Sequence, residues 1–197
     1  MNIRSKNKDI EMQIKLFEQI SKTKNHSQRS LSKNMNVALG LANSTLKKFL
    51  KKGLLKLSQA PLRRYSYYIT PKGFVEKTKL VSDFIVSSLG FYKEAKTEYE
   101  KLLLSSNKKK IILVGVSDLT DIAVLVSKIH NIKISFIYDI NFAQKSYCGI
   151  KIKKNLDDIK KNKYVFILTV SKNISERYNK LSRAGFVINK PNFLFLD

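Results

Sequence analysis

Apolar residues recur at helical spacing through Ile10, Ile14, Leu16, Phe17 and Ile20, which predicts a first helix after a polar, basic arm over residues 1–9. Ser21 to Asn25 interrupts it. Ser27 is a suitable N-cap for a second helix that carries Leu31 and ends near Met35 and Asn36, where asparagine tolerates a left-handed backbone. A third helix is expected from about Ala38 to Lys51. Its apolar side is Leu39, Ala42, Leu46, Phe49 and Leu50, and its polar side is Gly40, Asn43, Ser44, Lys47, Lys48 and Lys51. Gly53 stops it. Leu54 to Leu57 and Tyr65 to Thr70 read as two strands, joined by the loop SQAPLRR with Arg63 and Arg64. Thr70 and Pro71 then suit the start of another helix.

From Phe74 to about Leu104 no proline intervenes. Val81, Ile85, Ser88, Tyr92, Ala95, Tyr99 and Leu102 fall at alternating spacings of four and three, the pattern of a heptad seam. Such a stripe needs cover, from a neighbouring domain or from a second copy. A homodimer through the helix over 81–102 is the expectation.

Ser105 to Lys110 is a polar boundary, and the pattern then alternates between strand and helix. Ile111–Val114 and Tyr164–Val170 are unbroken apolar runs, as in buried parallel strands. Helices are predicted over Asp118–Ile129 and Asn173–Ala184. Further strands are expected at Ile132–Tyr138, within 151–161 and at Phe186–Ile188. The expected fold class is an α+β winged helix-turn-helix domain (10–73) with a long linking helix (74–104), followed by a small α/β Rossmann-like parallel-sheet domain (110–197).

Charge adds a partner to this picture. The formal net charge is +23, from 38 Lys and Arg against 15 Asp and Glu, and the excess is concentrated before residue 110. Double-stranded DNA is the partner that uses such a surface most directly, while a general Lys-rich composition is the alternative source. Cys148 is the single cysteine and there are two histidines, so neither an intrachain disulfide nor a cysteine metal cluster is expected. No apolar run is long enough for a membrane span, and no signal peptide is evident. A cytoplasmic protein without membrane association is expected.

The third helix fits a major groove, where Asn43 is suited to adenine, Gly40 and Ser44 permit close approach, and Lys47 and Lys48 reach phosphates. Arg63 and Arg64 at the loop tip suit phosphate or minor-groove contact. With Ser27, Gln28, Arg29 and Ala38 these complete the expected DNA-binding set. The stretches NVALGLANSTLKKFLKKGLLK and YSYYITPKGFVEKTKLVSDFI resemble MarR-type winged helix-turn-helix regulators associated with exopolysaccharide and surface-sugar biosynthesis, over roughly residues 16–102. Val37, Leu39, Gly40, Asn43, Lys52 and Gly53 match that pattern, as do Tyr65, Tyr67, Thr70, Pro71, Lys72 and Gly73. Ala38 and Leu41 stand where the family has a capping serine and a lysine.

In the second half, the loop Gly115-Val116-Ser117-Asp118 follows the first strand. One glycine is too few for a dinucleotide fingerprint, but Ser117 beside a helix start suits an anion. Asp139 closes the next strand, where nucleotide folds bond a ribose hydroxyl. Thr169, Ser171 and Asn173 border the same crevice. The expected ligand set is therefore Gly115, Ser117, Asp118, Asp139, Thr169, Ser171 and Asn173, with Ser117 as a plain cap and Asp139 as a turn residue the alternative reading. The motifs GVSD…AVL, FIYD, Gly149 before a strand and ILTVSKN, over residues 111–191, resemble the small Rossmann-like domains that precede sugar-modifying acyltransferases and occur in some sugar-biosynthesis regulators, which implies a nucleotide or sugar-nucleotide ligand.

Together these features predict a sequence-specific, dimeric transcriptional regulator, not an enzyme, without metal or catalytic residues and modulated by a small-molecule effector. The alternatives are a nucleotide-binding α/β enzyme with a nucleic-acid anchor, and an architectural DNA-binding protein with a ligand-free α/β domain.

Overall fold

A computed structural model describes residues 3–22, 27–60, 64–106 and 109–194. They fall into two compact units, Met1–Leu89 and Gly90–Asp197.

In the first unit, helices α1 (Ile3–Lys22), α2 (Gln28–Met35) and α3 (Leu39–Lys51) precede an antiparallel pair, β1 (Leu55–Ala60) and β2 (Arg64–Ile69). Helix α4 (Pro71–Leu104) begins here. Ser27 and Ser30 form a reciprocal cap on α2, each side chain meeting the other's backbone amide. Asn36, at φ 53°, ends α2 in the left-handed conformation. Ala38 stands at the α3 N-cap and offers no side-chain bond. The apolar stripes meet in one core around Leu16, Phe17, Leu31, Leu46, Phe49, Leu54 and Leu55, with the Phe17 and Phe49 rings 4.6 Å apart. Thr70 fastens the start of α4, its hydroxyl donating to the Gly53 carbonyl at 2.7 Å and accepting the Gly73 amide at 3.0 Å.

Two local expectations change. Helix α1 starts at Ile3, so residues 3–9 of the supposed arm are helical. Strand β1 runs on through Ser58 to Ala60, with Ser58 opposite Ser66 and Ala60 opposite Arg64. Much of the expected loop is therefore ladder. Arg63 lies outside the described residues.

The second unit is a six-stranded sheet in the order β5-β6-β4-β3-β7-β8. Its strands are β3 (Lys110–Val114), β4 (Ile134–Tyr138), β5 (Ser146–Tyr147), β6 (Ile150–Lys153), β7 (Tyr164–Leu168) and β8 (Ile188–Asn189). Helix α5 (Asp118–Ile129) joins β3 to β4, and α6 (Ile174–Arg183) joins β7 to β8. All pairings are parallel except the short β5–β6 hairpin at the edge. Taken in chain order, the parallel strands lie third, second, first, fourth, fifth, the order of dinucleotide-binding sheets. The crossover through α5 runs to one side of β3 and that through α6 to the other side of β7. Right-handed crossovers then put the two helices on opposite faces, and the chain reverses direction between β3 and β7. The β5–β6 hairpin was not foreseen.

Helix α4 corrects the expected architecture. Its C-terminal half places Ala95, Tyr99 and Leu103 in the core of the α/β unit, each almost wholly buried. The Tyr99 hydroxyl donates to the Leu168 carbonyl at 2.9 Å, and its ring meets Phe193 edge-on at 6.1 Å. This half of the helix is thus a layer of the α/β unit rather than a free linker. Ala95 and Tyr99, two positions of the expected seam, are consumed inside the chain, so the homodimer through 81–102 is withdrawn. Among the described residues no helix is long and apolar enough to cross a membrane.

Candidate nucleotide site

The carboxyl ends of β3, β4 and β7 converge on a network of buried polar groups. Gly115 follows β3 at φ 89°, and its amide donates to the Tyr138 carbonyl at 2.9 Å. A Cβ at this position would stand 1.9 Å from Val170 Cγ1 and 3.1 Å from an Arg177 guanidinium nitrogen. Glycine is required both by the backbone angle and by the close approach of β7's exit.

Asp139, 5% exposed, ends β4 at the centre of the network. Its carboxylate accepts the Val116 amide at 2.9 Å and the Asn141 amide at 2.9 Å, and pairs with Arg177 at 3.3 Å. Burial works to raise its pKa, but the Val116 and Asn141 amides and the Arg177 guanidinium outweigh it, holding the carboxyl below its ordinary value. An acid whose folded pKa is depressed stabilises the fold above its unfolded value, and that contribution is lost as pH falls through the folded one. Wild-type protein is therefore expected to lose stability on acidification below about pH 4. Asp139→Asn should flatten that part of the acid slope in urea denaturation series; an unchanged slope would contradict the network.

Thr169 ties β7 to β3: it is fully buried, and its hydroxyl donates to the Gly115 carbonyl at 2.7 Å. Ser117 caps α5, accepting the Leu119 amide at 3.2 Å and donating to the Thr169 carbonyl at 2.5 Å. Thr120 completes the reciprocal cap by accepting the Ser117 amide at 3.0 Å. The structure thus brings Gly115, Ser117, Asp139 and Thr169 together, but Gly115, Ser117 and Thr169 bond one another and Asp139 is engaged by Val116, Asn141 and Arg177. Asp118 and Ser171 are exposed and do not line the adjoining cavity.

That cavity, of about 290 Å³, opens between the exit of β4 and α6. Val114, Tyr138, Ile140 and Asn141 form one wall, and Asn173, Glu176, Arg177, Lys180 and Leu181 the other. Of the expected ligand set only Asn173 reaches it. Arg177, Lys180 and Asn141 escaped the sequence reading, although one signal for Arg177 was present. It falls three residues after Ile174 and four before Leu181, the two buried positions of α6. A cation on the apolar stripe of a helix needs an internal anion, and Asp139 is that anion.

The expected DNA-contacting face behaves differently. Asn43 turns its amide oxygen inward, where it is buried without a hydrogen-bond partner, and so does not display the bidentate amide an adenine would need. The Ser44 hydroxyl is spent on the Leu41 carbonyl at 3.0 Å. Ser27 is engaged in its cap; Gln28, Arg29, Ala38, Gly40, Lys47 and Lys48 are exposed, and Arg64 begins β2.

No family model and no curated protein matches the chain. Among solved structures, one described as "RSP in complex with beta-NADH" matches 99% of this chain and 81% of its own, at 17% identity and a TM-score of 0.36. With no family model matching, the MarR assignment is withdrawn, and the C-terminal half of α4, which is part of the α/β core, corrects the architecture in which a free linking helix separates a winged helix-turn-helix domain from a Rossmann-like one. The sequence-specific transcriptional role and the double-stranded DNA partner go with them. So does the expectation of a non-enzymatic protein. It rested on finding no acid, base or nucleophile, and that reasoning fails for nucleotide sites, where the bound group carries the chemistry and side chains need only position it. The strand order of the α/β unit is consistent with a nucleotide ligand.

Proposed function

We propose that the chain is a nucleotide-binding α/β protein of the enzymatic kind, in which a bound nucleotide or sugar nucleotide supplies the reactive group. The ligand occupies the cavity between the β4 exit and α6. Of the two alternatives left by the sequence, the nucleotide-binding enzyme fits this site better than a ligand-free scaffold, and the nucleic-acid anchor is not carried forward. The observation that carries the reading is the Asp139–Arg177 pair beside that cavity, where the strand order reverses. The Asp139 carboxylate is buried and Arg177 half-buried, so the pair carries a desolvation cost on the acid side, and it fixes a guanidinium at the wall of a cavity lined by Asn141, Asn173 and Glu176.

The polar groups suit a nucleoside. Asn141 and Asn173 offer donors and acceptors for ribose hydroxyls, Glu176 accepts, and Tyr138, Ile140 and Leu181 provide an apolar wall for a base. Thermal unfolding of the intact chain, titrated with AMP, UMP, NADH and a UDP-sugar, tests the reading. At least one nucleotide should raise the midpoint with the logarithm of its concentration. Ile140→Trp, which fills the cavity mouth from a half-exposed position, should abolish that rise while leaving the unliganded midpoint near wild type. No response to any of the four would overturn the proposal.

A further inference from the structure

Sheets with this strand order bind dinucleotides by laying the diphosphate on free amides at the start of the first helix. Here those amides are taken. The Val116 amide donates to Asp139, that of Ser117 to the Thr120 hydroxyl, that of Leu119 to the Ser117 hydroxyl, and that of Thr120 to the Ser117 carbonyl. The first turn also carries two carboxylates, Asp118 and Asp121. Asp121 is held in place, since the Cys148 thiol donates to it at 3.2 Å and the Tyr147 hydroxyl bonds it, pushing the tyrosine up to about 12. A diphosphate arriving at α5 would meet fixed negative charge and few unspent donors.

The cations lie on the other side of the β4 exit. Arg177 is paired with Asp139, whereas Lys180, one turn further along α6, is exposed on the cavity wall and has no ion pair among the described residues. A lysine ammonium is a compact point charge, suited to a single phosphate. The cavity, at about 290 Å³, sits at the lower end of the range for small-molecule sites, roughly 300–1,000 Å³. That is room for one nucleoside.

We infer that this site selects a nucleoside monophosphate, with its phosphate on Lys180 of α6, over a dinucleotide bound through a diphosphate at α5. The inference rests on the nucleotide reading above and narrows it to one ligand class. Calorimetric titration of the intact chain with adenosine, AMP, ADP and NADH, repeated with uridine and UMP, tests it. The monophosphate should bind about tenfold more tightly than either its nucleoside or NADH, a difference well within reach of one charge-assisted contact. Lys180→Ala, at an exposed helix position, should reduce the monophosphate to the affinity of the nucleoside and leave the nucleoside unchanged. If ADP or NADH binds as tightly as AMP, and Lys180→Ala has no effect, this inference is overturned while nucleotide binding stands. If none of the six compounds binds, both are overturned.

Discussion

Replacing Tyr99 with alanine is expected to destabilise the protein by roughly 3–5 kcal/mol, the cost of deleting a large aromatic from a packed core. The side chain is 0% exposed, its ring lies edge-on to Phe193, and its hydroxyl satisfies the Leu168 carbonyl at the end of β7. Burial without a compensating charge raises the phenol's pKa, so it stays a neutral donor throughout the accessible pH range. Tyr99→Phe keeps the ring and should cost only about 1 kcal/mol, the net worth of one hydrogen bond. Chemical denaturation of the three proteins measures both numbers. The same experiment separates the observed packing from the heptad seam expected of the sequence. A seam residue would shift the oligomeric state with protein concentration and leave the denaturation of an isolated chain little changed.

Gly115→Ala is expected to be nearly as severe, at about 3 kcal/mol or more, because two costs add. A non-glycine residue held at φ 89° carries roughly 1–3 kcal/mol of backbone strain, and the new Cβ must also displace Val170. Any shift of Val170 moves the β7 exit, and any shift of the Gly115 loop pulls the Val116 amide from Asp139. Nucleotide binding should fall with stability. Gly149→Ala provides the comparison, since that residue also has a positive φ, 79°, but a Cβ there meets nothing within 4 Å. It should cost only about 1–2 kcal/mol, the strain of the left-handed backbone alone. Equal losses from the two substitutions would show that the close approach at Gly115 contributes nothing.

The elements were largely legible because hydrophobic period is a local property. The runs Ile111–Val114 and Tyr164–Val170 announce buried strands, and Ser27, Asn36 and Ser117 announce helix ends, before any tertiary contact is known. What local pattern does not carry is which partner an apolar stripe meets. The positions from Val81 to Leu102 have heptad spacing, yet Ala95 and Tyr99 pack on the strands of their own unit, 69 residues away in the case of Leu168. The two-residue strand β5 was missed for a related reason: its pairing with Lys151 and Ile150 makes it a strand, not its composition.

The site was legible in part. Gly115 and Asp139 follow from strand order and the turn between strand and helix. Ser117 and Thr169 lie near the cavity, but their hydroxyls, read as ligand groups, donate to backbone carbonyls, Ser117 to that of Thr169 and Thr169 to that of Gly115. Residue type alone cannot distinguish a free donor from a spent one. Arg177 depends on a long-range ion pair, which only its place on the buried stripe of α6 could have suggested. The charge of +23 drew the reading toward nucleic acid, although net charge bears on solubility and non-specific attraction, not on fold. At Asn43 the side-chain oxygen is buried without a hydrogen-bond partner, which local pattern does not reveal.

Nucleotide binding at the cavity between the β4 exit and α6 is read directly from the backbone amide shifts of the isotopically labelled chain during titration with AMP. Saturable shifts are expected only at the cavity and its network, at Gly115, Val116, Asn141, Asn173, Arg177 and Lys180. Saturable shifts centred on α3, or none in the α/β unit at millimolar nucleotide, would contradict it.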